Sequence, residues 1–197
     1  NLVSVIMPAF NAEMTILESI NSVLRQSYKN FELIICDDNS TDSTKNIVCS
    51  VDDNRIIYLK NLYQKGAAGA RNFALDNSNG RYVAFLDSDD VWSEDKLYKQ
   101  LKYMNENNIY FTYGAYKTFS DDVKVTKGHF IPPKMVAYEK LLRSCPIGCL
   151  TVVIDRKFTG SFSFPYIPKE DYACWLTLTN RFGDAYLYES SFDSYYR

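Results

Sequence analysis

Two short apolar runs in this chain lead straight into clusters of carboxylates. Residues 31–36 are followed by Asp37-Asp38-Asn39-Ser40, and residues 82–86 by Asp87-Ser88-Asp89-Asp90. Brief runs rich in β-branched and aromatic residues read as strands buried on both faces, the kind found in parallel sheets. Open parallel sheets bind ligands in the crevice at the carboxyl ends of their strands. Carboxylates concentrated there repel one another and lose hydration, so they call for a cation or for hydrogen-bond donors.

The rest of the first hundred residues fits that frame. Residues 2–7 read as a strand stopped by Pro8. Thr15 and Glu18 make a capping-box pattern ahead of a helix carrying Leu17, Ile20, Val23 and Leu24. A second helix is expected from near Asp42 towards Val48, a strand over residues 55–59, and an alanine-rich helix over 66–76. Asn79-Gly80 forms a turn, and Ser93 caps a helix with Leu97, Leu101 and Met104 on one stripe. This alternation predicts right-handed crossovers and a mostly parallel sheet with helices on both faces. After Ile109 the texture changes. Residues 109–119 and 150–154 read as strands, 120–133 as an irregular loop, and 170–182 as a helix ended by Gly183.

A length of 197 residues suits one domain with a full core, in which residues 1–100 hold a nucleotide-like ligand and residues 101–197 shape a second substrate. Basic and acidic residues are interspersed, with a net charge of −2, which argues against nucleic acid as the main partner. The five cysteines lack metal-site spacing and suit a reducing cytosol. No stretch approaches the roughly 18 apolar residues of a membrane span. The first residues have neither the basic region nor the apolar run of a signal peptide, and both ends read as trimmed.

Taken alone, each acidic cluster reads first as a turn or a helix cap. Along an extended segment, however, the carboxylates of Asp87 and Asp89 share one neighbourhood while Ser88 points elsewhere. A small set of hard oxygen ligands suits Mg²⁺ or Mn²⁺, with water and diphosphate oxygens completing the shell. Phe10, after the first strand, covers a base or packs in the core. Arg71, in the small-residue segment 66–72, meets a phosphate or a base. His129 is read as exposed or packing. Tyr186, Tyr188, Tyr195 and Tyr196 are read as strand packing rather than as sugar-stacking faces.

Taken in order, Val3-Ser4-Val5-Ile6-Met7-Pro8-Ala9-Phe10-Asn11, the segment from Ser27 to Asp42, Gly66 to Asn72, Gly80 to Asp90 and Glu170-Asp171-Tyr172 resemble glycosyltransferase family 2, the inverting GT-A enzymes. The resemblance spans nearly the whole chain and is strongest over residues 3–100. It implies a Rossmann-like α/β GT-A fold and a metal-dependent transfer of sugar from a nucleotide-diphosphate donor, expected to be a UDP-sugar, to a glycan or glycolipid acceptor. It further implies that Pro8, Ala9, Phe10 and Asn11 border the base and ribose, although the family more often has Tyr where Phe10 stands. Asp38 would accept from the pyrimidine, Arg71 lie beside the base and diphosphate, Asp87 hold the ribose with Ser88 next to it, and Asp89 ligate Mn²⁺ or Mg²⁺. Asp171 would be the general base, with Glu170 the neighbour easily mistaken for it. The expected setting is polysaccharide synthesis in the cytoplasm, at or near the inner face of the membrane. A sugar nucleotidyltransferase would need a glycine-rich basic loop where Pro8-Ala9-Phe10-Asn11 stands.

Overall fold

The computed structural model describes residues 1–189 and 191–197. The first half alternates as expected: β1 (Val3–Ala9), α1 (Ile16–Leu24), β2 (Phe31–Asp37), α2 (Thr44–Ser50), β3 (Ile56–Lys60), α3 (Ala67–Asp76) and β4 (Tyr82–Phe85). The short β5 (Val91–Trp92) and the helix α4 (Lys96–Asn107) follow. The second half holds β6 (Phe111–Phe119), β7 (Thr126–Phe130), β8 (Met135–Val136), α5 (Tyr138–Leu141), β9 (Val153–Asp155), α6 (Arg156–Thr159), α7 (Glu170–Phe182) and β10 (Ala185–Tyr196).

All ten strands join one sheet in the order β3-β2-β1-β4-β9-β6-β10-β5, with β7 beside β6 and β8 beside β10. The β3-β2-β1-β4 part is parallel throughout, with Val5 opposite Leu33 and Ile6 opposite Ile34. Beyond β4 the sheet is mixed: β9 runs antiparallel to both β4 and β6, while β6 and β10 are parallel. The mostly parallel expectation therefore holds for β1 to β4 and gives way to a mixed sheet beyond them.

Successive strand residues face opposite sides of a sheet, so two cores form. Val3, Val5, Met7, Leu33 and Ile35 pack with Ile16, Ile20, Leu97 and Leu101 of α1 and α4. Ile6, Ile34 and Phe85 face the other side, against α3 and α7. Trp175 anchors α7 there, its ring centroid 5.7 Å from Phe85, 5.4 Å from Phe111 and 5.7 Å from Phe164. All five cysteines are free; Cys36, Cys149 and Cys174 are buried, Cys145 is half-buried and Cys49 is exposed on α2. Among the described residues, no helix is long and apolar enough to cross a membrane.

Several local expectations are corrected. Pro8 does not stop β1, which runs on to Ala9. Thr15 makes no side-chain cap, and its hydroxyl donates to the Ala12 carbonyl instead. Leu17 is exposed rather than in the core. Ser93 does not cap α4: its hydroxyl donates to Asp193, and the helix starts at Lys96. Residues 120–133 are not all loop, since β7 pairs with β6 and places His129 opposite Lys117. His129 is exposed there, with its ring 5.4 Å from that of Phe192.

Candidate active site

The carboxyl ends of β1, β2 and β4 open onto a cavity lined by Pro8, Ala9, Phe10, Asp38, Ala67, Ala70, Arg71, Asp87, Ser88 and Asp89. All the nucleotide-site and metal-site residues expected from sequence are thus brought together except Asn11. That residue stands outside the wall with φ 48°, and its side-chain oxygen accepts from the Thr41 backbone N–H at 2.8 Å. Phe10 is exposed at the mouth, and the ammonium of Lys65 lies 4.8 Å from its ring centroid. Lys65 was not singled out from sequence because a lone surface lysine carries no pattern.

Asp38 is buried, and both its oxygens already accept hydrogen bonds, from Asn61 Nδ2 at 2.7 Å and from the backbone N–H of Gly66 at 2.7 Å. It therefore pins the turn that starts α3 as well as facing the cavity. Gly66 has φ 117°, a conformation glycine adopts without steric cost. At Gly69 a Cβ would stand 1.7 Å from the Gln64 carbonyl oxygen, so only glycine lets α3 pass that close to the preceding loop.

Arg71 projects from α3 and is held between two carboxylates. Its Nη2 lies 2.6 Å from Asp87 Oδ1, and its Nη1 lies 2.5 Å from Glu170 Oε1. Burial works against its charge, but the neighbouring carboxylates more than offset that and raise its pKa. Glu170, read from sequence as the acid easily mistaken for the base, thus has a task of its own in holding Arg71, which no local pattern announces.

A second cavity shares Arg71 and Asp87 with the first and adds Asp90, Tyr116, Gly148, Cys149, Leu150, Glu170, Asp171 and Tyr196. Asp171 sits in the first turn of α7, four residues before Trp175 and hence on the same helix face. Burying Trp175 therefore turns Asp171 towards the cleft. Burial raises the pKa of Asp171, and Glu170 and Asp87 push the same way; the Tyr172 backbone N–H and Arg71 oppose them. Tyr196 belongs to a strand, as expected, yet it is half exposed and lines this cavity.

The acids after β4 are crowded. Desolvation by the surrounding loops and then the charge of Asp87 raise the pKa of Asp89, although part of that side chain is open to solvent. Asp90 is buried, and desolvation followed by Asp87 pushes it up to about 8. One of its oxygens accepts from the Arg197 backbone N–H, and the other has no partner. Among the described residues, no group of three or more His, Cys, Asp or Glu side chains forms a complete metal cage. A hard divalent ion that borrows oxygens from a diphosphate needs only one or two protein carboxylates, and the surplus negative charge with an orphaned oxygen suits such an ion.

Residues 4–159 match the family model described as Glycosyl transferase family 2. The chain is 52% identical over 177 residues to the Escherichia coli UDP-Glc:alpha-D-GlcNAc-diphosphoundecaprenol beta-1,3-glucosyltransferase WfgD, covering 90% of this chain and 69% of that protein. A second E. coli protein of the same description, WfaP, is 46% identical over 196 residues, covering 100% of this chain and 77% of the relative. In fold, the chain is similar to the solved structure of S. aureus TarS 1-349 in complex with UDP, with a TM-score of 0.78 at 22% identity. That match covers 99% of this chain and 60% of the TarS chain.

Proposed function

The chain belongs to glycosyl transferase family 2, and from that premise we propose that it transfers glucose from UDP-glucose to N-acetylglucosamine carried on a polyprenyl diphosphate. The named relatives support this donor and acceptor. The observation that carries the reading is the continuity of the two cavities. A pocket bordered by Phe10, Asp38 and Asp87 opens, past Arg71, beside the desolvated carboxylate of Asp171.

Pro8, Ala9 and Phe10 cover the uracil and ribose, and Asp38 accepts from the pyrimidine N–H with its remaining lone pairs. Arg71 and Asp87 border the sugar-diphosphate end. Asp171, more basic than an ordinary aspartate, takes the proton of the acceptor hydroxyl. As it does so, the acceptor oxygen bonds to the anomeric carbon, the bond from that carbon to the diphosphate oxygen breaks, and the electron pair leaves with UDP. A single displacement turns the α-linked donor into a β-linked product. Mn²⁺ or Mg²⁺ would be held by Asp89 beside Asp87, and when bound it supplies positive charge to the leaving diphosphate. A lipid-linked acceptor supports a setting in surface-glycan assembly, in the cytoplasm and peripheral to the inner face of the membrane.

The test is incubation with UDP-glucose, Mn²⁺ and a synthetic N-acetylglucosamine diphosphate bearing an alkyl tail. The expected product carries one added β-linked hexose, and UDP release requires the acceptor. An α-linked product, or UDP release at the same rate without acceptor, would refute the reading.

A further inference from the structure

Asp171 faces two cavities. Besides the second, it borders a third, lined by Arg143, Ser144, Cys145, Ile147, Lys169, Asp171 and Tyr172. Arg71 and Asp87 join the first cavity to the second, and Asp171 joins the second to the third. Each cavity therefore adjoins the next, with Asp171 between the last two.

The charge along this series reverses. The second cavity is edged by Asp87, Asp90, Glu170 and Asp171, with Arg71 committed to Asp87 and Glu170. The third is edged by two exposed cations, Arg143 and Lys169, and by no acid except Asp171. Among the described residues, neither cation is in an ion pair or gives a side-chain hydrogen bond, so both are free to meet an anion. The wall is also braced. The Tyr172 hydroxyl donates to the Leu141 carbonyl, tying the end of α5 to α7, and the Cys145 thiol donates to the Ile147 carbonyl. Lys169 itself sits at φ 58°, a left-handed conformation unusual for a non-glycine residue, at the start of α7 and two residues before Asp171.

We propose that this third cavity is the subsite for the diphosphate of the acceptor, with Arg143 and Lys169 as its anion-binding residues. The inference rests on the glycolipid reading above. In the beta-1,3 transfer named for the relatives, a sugar whose 3-hydroxyl meets Asp171 carries its diphosphate two ring carbons away, on C1, within reach of the cavity that Asp171 shares with two uncommitted cations. Leu142, next to Arg143 in the chain, and Ile167, two residues before Lys169, are exposed and apolar, as the lipid side of such a phosphate requires. Charge-assisted bonds from guanidinium and ammonium to phosphate are stronger than neutral ones. They let the enzyme tell a diphosphate-linked sugar from the same sugar on a neutral aglycone.

The experiment is calorimetry with an undecyl diphosphate, run with UDP and Mn²⁺ present so that the first cavity is occupied. The proteins compared are wild type, the double variant Arg143→Gln/Lys169→Gln and the charge-keeping Lys169→Arg. The double variant should bind at least about tenfold more weakly, with UDP affinity unchanged, and Lys169→Arg should stay near wild type. In parallel, the wild type should prefer the diphosphate-linked acceptor over a phosphate-free alkyl N-acetylglucosaminide, and the double variant should lose that preference through KM rather than kcat. Equal diphosphate affinity in wild type and double variant, or no binding by wild type, overturns the subsite. Intact binding without glucose transfer would instead sink the glucosyltransferase reading alone. Sedimentation with phosphatidylglycerol vesicles separates the two sources of phosphate. Vesicle binding lost in the double variant while undecyl diphosphate affinity persists would assign the cations to the bilayer and overturn the proposal.

Discussion

The main-chain nitrogen of Arg197 donates to Oδ1 of Asp90 across 2.9 Å, so the residue just past β10 is tied to the acidic turn after β4. The same residue sends its Nε to the Asp89 carbonyl at 2.8 Å, pairs with Glu18, and rests its guanidinium 4.3 Å from the Phe119 ring centroid. One cation thus fixes the backbone that presents Asp89. Arg197→Ala should raise the Mn²⁺ concentration needed for half-maximal rate while leaving UDP-glucose saturation at high Mn²⁺ nearly unchanged. A Mn²⁺ titration of initial rates decides it, and an unshifted midpoint would count against this role.

Asp38→Ala should do two things together. It removes a pyrimidine acceptor, and it strands the Asn61 amide and the Gly66 N–H, which now share the Asp38 carboxylate. Leaving buried donors unpaired costs about 1–3 kcal/mol. Weaker UDP binding and a lower melting temperature are therefore expected together. Weaker binding with an unchanged melting temperature would mean the carboxylate serves the ligand alone.

Asp89→Ala should behave in the opposite way. Its side chain is partly open, and desolvation followed by the charge of Asp87 disfavours its ionised form, so stability should hold or rise slightly. Turnover and Mn²⁺-dependent UDP binding should both vanish. Measurable, EDTA-insensitive transfer by the variant would refute its assignment as the metal ligand.

Asp171→Asn should slow transfer by roughly a hundredfold or more without weakening UDP binding. In the wild type the base must be unprotonated, so the rate should fall as pH drops through the pKa of Asp171, which burial holds above the usual carboxylate range. Glu170→Gln, which loses one arm of the Arg71 clamp, should lower stability more than rate. Should Glu170→Gln abolish transfer while Asp171→Asn retains it, the base has been assigned to the wrong acid.

Lys96 is buried with no hydrogen-bond partner for its ammonium, which lies 3.9 Å from the Trp92 ring centroid. Burial lowers its pKa to about 7 from 10.5, against the opposing charge of Asp193. The unfolded chain therefore binds more protons than the folded one between those two values, and stability from this group rises with pH across that window. Below it both states are protonated and the full penalty remains. The contact with Trp92 returns on the order of 2 kcal/mol, less than the cost of burying the ammonium. Lys96→Met should melt higher than wild type near neutral pH, with the gap closing towards pH 10. A variant that melts lower at every pH would show that the ammonium is net stabilising.

Much of the donor side was legible because its cues are local: a β-branched run ending in acids at 37–38 and 87–89 places carboxylates at strand ends wherever a parallel sheet forms. The clamp on Arg71 was not, since its partners lie 16 and 99 residues away. Local motifs also misled where a distant partner won. Thr15 and Glu18 match a capping box, yet Glu18 pairs with Arg197, 179 residues along. β7 was hidden for another reason: as an edge strand beside β6 it is exposed along most of its length, so it shows no apolar alternation.

The distribution of thiols has a practical consequence for studying the protein. Burial pushes Cys36 up to about 12 and Cys145 up to about 11, and it raises Cys149 and Cys174 as well. Thiolates are the reactive form, so at neutral pH an alkylating dye meets one open sulfhydryl, Cys49. That residue lies on α2, which lines none of the three cavities. Residues 1–197 thus carry one such attachment point for a fluorophore or a surface tether among the described residues, available without engineering and away from the three cavities.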